Sequence, residues 1–94
     1  MRERNNSPSN RIGEVEVTPI KPTGGLVGFA SLVFEGCFYL GGIGVYTRPH
    51  GGYRLVYPTR PSANGGLNIF YPINKSIADE IETAVIKRFE EIVK

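Results

Sequence analysis

The chain has 94 residues, of which 40% are hydrophobic, and its formal net charge at pH 7 is +2. A chain of this length forms one domain and buries only about 60–65% of the surface that its unfolded form exposes. Its apolar runs are far shorter than the roughly 20 residues that a membrane-spanning helix needs, so we expect no membrane contact.

The N-terminal residues 1–13 are polar and show no periodic apolar pattern. Such a segment cannot offset the entropy of its own ordering by burial, so we predict a flexible arm over residues 1–13. A single domain is predicted over residues 14–94. Because the arm contains no apolar stretch of the kind found in secretory signals, we expect a cytoplasmic protein.

Apolar runs separated by turn residues predict an antiparallel β-meander. The first run alternates polar and apolar residues and is limited by Pro19, and Gly41 predicts a β-bulge in the third run. In the fourth run, Tyr53, Leu55 and Tyr57 fall on one face of the strand. A loop rich in Pro, Ser, Asn and Gly is predicted over residues 58–66. The predicted strands cover residues 14–18, 26–35, 37–46, 53–57 and 67–71.

The segment after the strands predicts one amphipathic helix. Ser76 is the candidate N-cap, and the carboxylate of Asp79 complements both this cap and the helix dipole. Apolar residues recur at three- and four-residue steps and form one stripe. The stripe consists of Ile77, Ile81, Ala84, Val85, Phe89, Ile92 and Val93, while Glu80, Thr83, Lys87 and Glu91 face the other way. The predicted fold class is therefore α+β, a five-stranded antiparallel β-meander followed by one C-terminal amphipathic α-helix.

Residues suited to catalysis are few. His50 lies between a proline and a glycine in a predicted turn, where an exposed histidine is usually a turn residue. Cys37, the single cysteine, begins a strand among aromatic residues and is interpreted as a small packing residue. The glycine cluster of residues 41–44 runs into another strand, whereas a phosphate-binding loop opens into a helix. It is interpreted as a bulge or a close backbone contact. We therefore predict a binding protein and not an enzyme, with no catalytic residue, no metal and no cofactor.

Charge is unevenly distributed along the chain. Between Gly36 and Ala78 there is no carboxylate. This stretch contains the candidates for contacting the phosphates of nucleic acid, namely Arg48, Arg54, Arg60 and Lys75. Aromatic residues suited to stacking on unpaired bases are interleaved with them, namely Tyr46, Tyr53, Tyr57, Phe70 and Tyr71. The alternative is that the arginines are solvated surface residues and that the tyrosines belong to the core or to cross-strand pairs.

Residues 15–92 resemble the SpoVG family of bacterial septation proteins. The Val-Glu-Val-Thr run of residues 15–18 looks like the first strand of that family, and the Gly-Phe-Ala-Ser-Leu run of residues 28–32 looks like its second. The Pro-Thr-Arg of residues 58–60 begins a loop that resembles the family's Pro-Ser segment. The Tyr-Pro-Ile-Asn-Lys-Ser run of residues 71–76 is similar to the family's His-Pro-Ile-Asn-Ser-Ser run before the helix.

The resemblance implies a cytoplasmic regulator of sporulation and division-septum formation that forms an intertwined dimer and binds DNA or RNA. The chain departs from the family where basic residues are typical, because it has Arg60-Pro61 and then an uncharged strand over residues 67–69. It also has Gly41, Gly42 and Gly44 where the family's third strand carries polar and basic residues. The alternative function is a protein-interaction module that docks a partner of the division or sporulation machinery without binding nucleic acid.

Dimerisation is also expected from the residues themselves. Several of the predicted strands are apolar on both faces, and a chain of this size cannot cover both faces alone. The expected partners are therefore a second copy of the chain, DNA or RNA, and a division or sporulation protein.

Overall fold

The computed structural model describes residues 11–63 and 65–93. The elements of this part are β1 (Ile12–Thr23), β2 (Leu26–Phe34), β3 (Phe38–Thr47), β4 (Tyr53–Val56), β5 (Thr59–Ser62), β6 (Gly65–Asn68) and α1 (Lys75–Val93). Strands β1 to β4 form an antiparallel sheet in chain order, and β5 and β6 form a separate hairpin. The predicted α+β class, antiparallel sheet and C-terminal helix are confirmed. Residues 1–10 of the predicted arm lie outside the described residues.

Strand β1 is longer than the sequence predicts. It begins at Ile12 and continues past Pro19 to Thr23. β1 is an edge strand, which forms ladder hydrogen bonds on one side only and can therefore accommodate a residue without an N–H. Its register against β2 shifts between Gly13 and Glu16 and again after Pro19. Pro19 therefore lies within β1 and does not end it.

The predicted fifth strand of the meander is wrong. Strand β6 ends at Asn68 and pairs with β5, which lies inside the segment that was predicted to be a loop. The hairpin between them closes because the Ser62 hydroxyl donates to the Gly65 carbonyl at 2.7 Å and Gly65 adopts a φ of +106°. Pro58 stands between β4 and β5 and has no N–H for the main sheet, so the hairpin leaves that sheet.

The core lies between α1 and the face of the sheet that contacts it, which we call the inner face. Its buried side chains are Ile12, Val17, Ala30, Leu32, Ile43, Val45, Ile81, Val85 and Phe89. The fourth strand contacts this side as predicted, because Tyr53 packs edge-on against Phe89 with 5.0 Å between ring centroids. Tyr57 packs in the same manner against Phe70 at 5.9 Å. The helical stripe is confirmed over its central turns, whereas Ile92 and Val93 are exposed.

The start of α1 differs from its predicted start. Helix α1 begins at Lys75, and the backbone N–H of Ile77 donates to the Asn74 side-chain oxygen at 2.9 Å. Asn74 is therefore the N-cap, and Ser76 already lies inside the helix. Glu80 does not face solvent as predicted, because it is half-buried and its Oε2 accepts from Arg11 Nη2 at 2.6 Å. No helix in the described part of the chain is both long and apolar enough to cross a membrane.

Candidate nucleic-acid interface

The predicted nucleic-acid contacts lie on three parts of the molecule. Arg48 follows β3 and Arg54 lies in β4, and both line a cavity of about 200 Å³ beside α1. Arg60 lies on β5, in the separate hairpin, and Lys75 is the first residue of α1. The structure therefore brings Arg48 and Arg54 together and leaves the other two cations apart from them.

Arg48 is held by two acceptors. Its Nε donates to the Tyr53 carbonyl at 2.9 Å, and its Nη2 donates to Glu82 Oε2 at 3.1 Å. The turn between β3 and β4 places the side chain there, since the Arg48 backbone N–H donates to the Gly52 carbonyl at 3.0 Å. The ion pair is solvent-exposed, and pairs of this kind contribute about 0.2–1 kcal/mol. A phosphate oxygen can therefore replace the Glu82 carboxylate at small cost.

Arg54 lies in β4 at the edge of the sheet, so it borders both the cavity and the face of the sheet opposite α1, which we call the outer face. It is the register partner of Tyr46, and its guanidinium carbon lies 5.3 Å from the centroid of the Tyr46 ring. A cation–π contact orients the guanidinium without using its N–H donors. Arg54 can therefore donate to a phosphate while it stays on the ring.

Lys75 and Arg60 are both exposed. Lys75 Nζ lies 3.2 Å from Asp79 Oδ2, one helical turn further along, in a pair worth about 0.3–0.5 kcal/mol. Arg60 is exposed opposite Leu67, and it forms no ion pair within residues 11–63 and 65–93. Both cations can reach a ligand without losing a buried contact.

The acidic residues near the start of α1 lie close to basic residues. Asp79, Glu80 and Glu82 pair with Lys75, Arg11 and Arg48. Glu82 also lines the cavity with Tyr57, and burial together with this carboxylate raises the pKa of Tyr57 to about 12. The acidic residues near the start of α1 are thus paired, whereas Arg54 and Arg60 form no ion pair within the described residues.

The aromatic residues divide between the two faces of the sheet. Of the predicted stacking residues, Tyr53, Tyr57 and Phe70 pack inside against their own chain, and only Tyr46 lies on the outer face. The prediction missed Phe29 and Tyr39, which lie on the outer face and are 42% and 74% exposed. It missed Phe29 because β2 was predicted to be a strand buried on both faces, although strand alternation places Phe29 and Ala30 on opposite faces.

The glycines of β3 lie under the outer-face tyrosines. A β-carbon on Gly41 would stand 2.9 Å from the Tyr39 ring, and one on Gly44 would stand 3.0 Å from the Tyr46 ring. The predicted bulge near Gly41 is confirmed, because the register shifts there and Gly42 has a φ of +74°. The glycine cluster therefore leaves space for the rings of Tyr39 and Tyr46 against the backbone of β3.

An apolar groove of about 340 Å³ lies on the inner side and shares Tyr57 with the cavity of Arg48 and Arg54. Its walls come from β2, β3, the residue after β4, the segment before α1 and α1 itself, and they include Phe34, Leu40, Phe70, Ile77 and Ile81. Tyr71 and Ile73 stand at its rim and are 55% and 88% exposed. Phe38, the register partner of Phe34, is 60% exposed beside it.

The residues that were considered for catalysis are both exposed in turns. His50 lies in the β3–β4 turn, as the sequence predicts. Cys37 lies in the β2–β3 turn and not in a strand, and its exposure makes the packing interpretation wrong. The cause is the Glu35-Gly36-Cys37 turn, in which Glu35 and Gly36 adopt φ values of +55° and +69° and move the start of β3 to Phe38.

Comparison with known proteins places this fold in a family. The SpoVG family model matches residues 10–91. A relative from Treponema denticola is 31% identical over 81 residues, which cover 85% of this chain and 86% of the relative. A relative from Caldicellulosiruptor saccharolyticus is 25% identical over 84 residues, which cover 88% of this chain and 94% of the relative. Both relatives carry the name "Putative septation protein SpoVG". The chain belongs to the SpoVG family.

Proposed function

We propose that this protein is a cytoplasmic regulator of septation and sporulation that acts by binding DNA or RNA as a dimer. The septation role is drawn from the name that its relatives carry. The observation that supports nucleic-acid binding is the distribution of charge. Four of the five carboxylates of α1 are in ion pairs, and the carboxylate-free stretch contributes Arg54 and Arg60, which form no ion pair within the described residues.

Electrostatic binding to phosphates has a measurable salt dependence. With all four predicted cations engaged, the affinity of one chain should fall roughly 150-fold between about 50 and 200 mM salt, because each contact contributes about 0.9 to the logarithmic slope. Titration of labelled single-stranded and double-stranded DNA and RNA at these two salt concentrations tests this. Absence of binding at the lower concentration would overturn the nucleic-acid part of the proposal.

Three variants that each remove one positive charge test which cations form the interface. Arg54→Gln and Arg60→Gln should each weaken binding and lower the salt slope by about 0.9. Arg88→Gln is the control, because Arg88 lies on α1 and pairs with Glu91, so it removes the same charge away from the proposed interface. Equal effects of all three variants would mean that only net charge matters and that the interface is wrongly placed.

Dimerisation is supported by the apolar surface at the groove. The exposed parts of Phe38, Tyr71 and Ile73 together amount to on the order of 400 Å², since a large side chain offers about 150–250 Å². The walls of the groove add to this surface. One partner of a standard interface contributes about 800 Å², and a two-fold dimer places the same patch of both chains in contact.

Light scattering at micromolar concentration tests the dimer. The unmodified chain should be a dimer, and Ile73→Ser should be a folded monomer, because Ile73 makes almost no contact within its own chain. Leu67→Ser is the control, since Leu67 is 54% exposed on the separate hairpin. A monomeric unmodified chain would contradict the proposal.

The second candidate function is a protein-interaction module, and the apolar groove is the observation that favours it. A concave, mostly apolar site with a few polar groups at its rim, here Asn74, is typical of ligand and peptide sites. The two functions differ in the salt titration. A chain that remains monomeric and binds no nucleic acid at about 50 mM salt would favour this second function.

A further inference from the structure

The outer face of the sheet carries a row of aromatic rings that the charge-based interface does not use. We name Phe29, Tyr39 and Tyr46 the outer aromatic row. We propose that this row stacks on unpaired bases, so that the preferred ligand is a single-stranded nucleic acid. This inference rests on the proposed nucleic-acid function and adds to it the class of ligand and a second set of contacts.

The glycines of β3 make the rings available. Tyr39 and Tyr46 lie over Gly41 and Gly44, where β-carbons would stand within 3.0 Å of the rings. Any larger residue at these positions would force the rings to shift. The two rings lie over positions three residues apart, which corresponds to about 10 Å of strand at roughly 3.3 Å per residue. This length corresponds to about three nucleotides at the 3.4 Å spacing of a stacked strand.

Phe29 lies in the middle of the row. Its register partner on β3 is Gly44, over which the Tyr46 ring lies, and 42% of Phe29 is exposed. Its other neighbour across the sheet is Thr18 on β1. Every base has an aromatic face, so stacking of this kind is tolerant of sequence but requires that the base be unpaired.

The charge at the row suits a polyanion. Arg54 lies over the Tyr46 ring and has its donors available beside the place where a stacked base would lie. The part of the outer face formed by β2, β3 and β4 contains no carboxylate, and the nearest one on β1 is Glu16, opposite Ser31. A second copy of the chain is a less suitable occupant, because the phenol of Tyr39 and the guanidinium of Arg54 keep this face polar. The apolar groove, which was proposed above as the dimer contact, lies on the inner side of the sheet and not at this row.

The test compares single-stranded and duplex ligands on variants of the row. Tyr39→Leu and Phe29→Leu keep an apolar side chain but remove the ring, and Tyr71→Leu is the control because Tyr71 is an exposed aromatic residue outside the row. The ligands are a labelled oligouridine of about 15 nucleotides and an RNA duplex of equal length, at about 50 mM salt. Each row variant should weaken oligouridine binding by about 5- to 150-fold and leave duplex binding unchanged.

The possible failures can be told apart. Equal binding of both ligands, with no effect of either row variant, would overturn the stacking row and leave the charge-based function standing. Loss of the dimer in Tyr39→Leu, measured by light scattering, would mean that a second copy covers the row. Absence of binding to any nucleic acid would overturn this inference together with the function on which it rests.

Discussion

The ion pair between Arg48 and Glu82 makes a sharp prediction about affinity. If Arg48 transfers from this carboxylate to a phosphate during binding, Glu82 competes with the ligand. The competing contact is an exposed pair worth about 0.2–1 kcal/mol. Glu82→Gln should therefore tighten nucleic-acid binding by about 1.4- to 5-fold through this contact. Arg48 keeps its bond to the Tyr53 carbonyl, so the β3–β4 turn should stay intact.

The structure provides a closely matched control for this variant. Glu91 forms an exposed pair with Arg88 at 3.3 Å, compared with 3.1 Å for Glu82 and Arg48. Glu91→Gln therefore changes the net charge of the protein by the same amount and frees an arginine that lies outside the proposed interface. The ratio of the two affinities isolates the contribution of Arg48, since the long-range effect of charge is common to both.

Fluorescence anisotropy with a labelled oligonucleotide at about 50 mM salt measures this ratio. A second measurement on the same variant is the spectroscopic titration of Tyr57, whose pKa should move down from about 12 because Glu82 contributes to raising it. If Glu82→Gln lowers the Tyr57 pKa but binds no more tightly than Glu91→Gln, Arg48 does not contact the ligand. The assignment of Arg48 to the nucleic-acid interface would then be wrong.

Three further predictions concern stability. Asn74→Ala should lower the free energy of unfolding by about 1 kcal/mol in denaturant titrations, because it removes the N-cap, whereas an equal loss in Ser76→Ala would contradict the assignment of the cap. The folded pKa of Tyr57 lies above its ordinary value of 10.0, so its contribution to stability is complete below pH 10 and is lost as the pH rises towards about 12. In Tyr57→Phe, the fall in the free energy of unfolding over this pH range should be smaller by about 1 kcal/mol, after allowance for the partial exposure of the ring. An equal fall in the variant would show that ionisation of Tyr57 is not the cause. Gly28→Ala should destabilise the fold by about 1–3 kcal/mol in thermal unfolding, because its β-carbon would stand 3.0 Å from the Thr18 carbonyl and 3.3 Å from Phe89. Gly13→Ala, with open space around the new carbon, should change little, and equal losses in the two variants would show that crowding is not the cause.

The elements that depend on hydrophobic periodicity could be predicted from the sequence. Strands β2 to β4 are apolar runs bounded by turn residues, and helix α1 has apolar residues at three- and four-residue steps, so sequence patterns find them. The bulge at Gly41 and the shared face of Tyr53 and Tyr57 follow from the same local signals. These features are fixed by residues near each other in the chain.

Other features depend on contacts that sequence patterns do not reveal. The β5–β6 hairpin buries almost nothing, so it has no apolar pattern and depends on the turn at Gly65. The start of α1 was misplaced because Asn74 and Ser76 are both good caps and only the backbone path chooses between them. The position of Phe29 and Tyr39 on one exposed face depends on which side of the sheet α1 covers, and that is a property of the tertiary fold.

The prolines of β1 also determine how this sheet can associate through its edges. Pro19 and Pro22 lack N–H donors, and the register shifts of β1 distort its open edge, so this edge is a poor template for another strand. The other edge is β4, which contains no proline. A sheet with one blocked edge and one usable edge can join a single further sheet and then stop. Such an arrangement favours closed pairs of molecules over open-ended fibres.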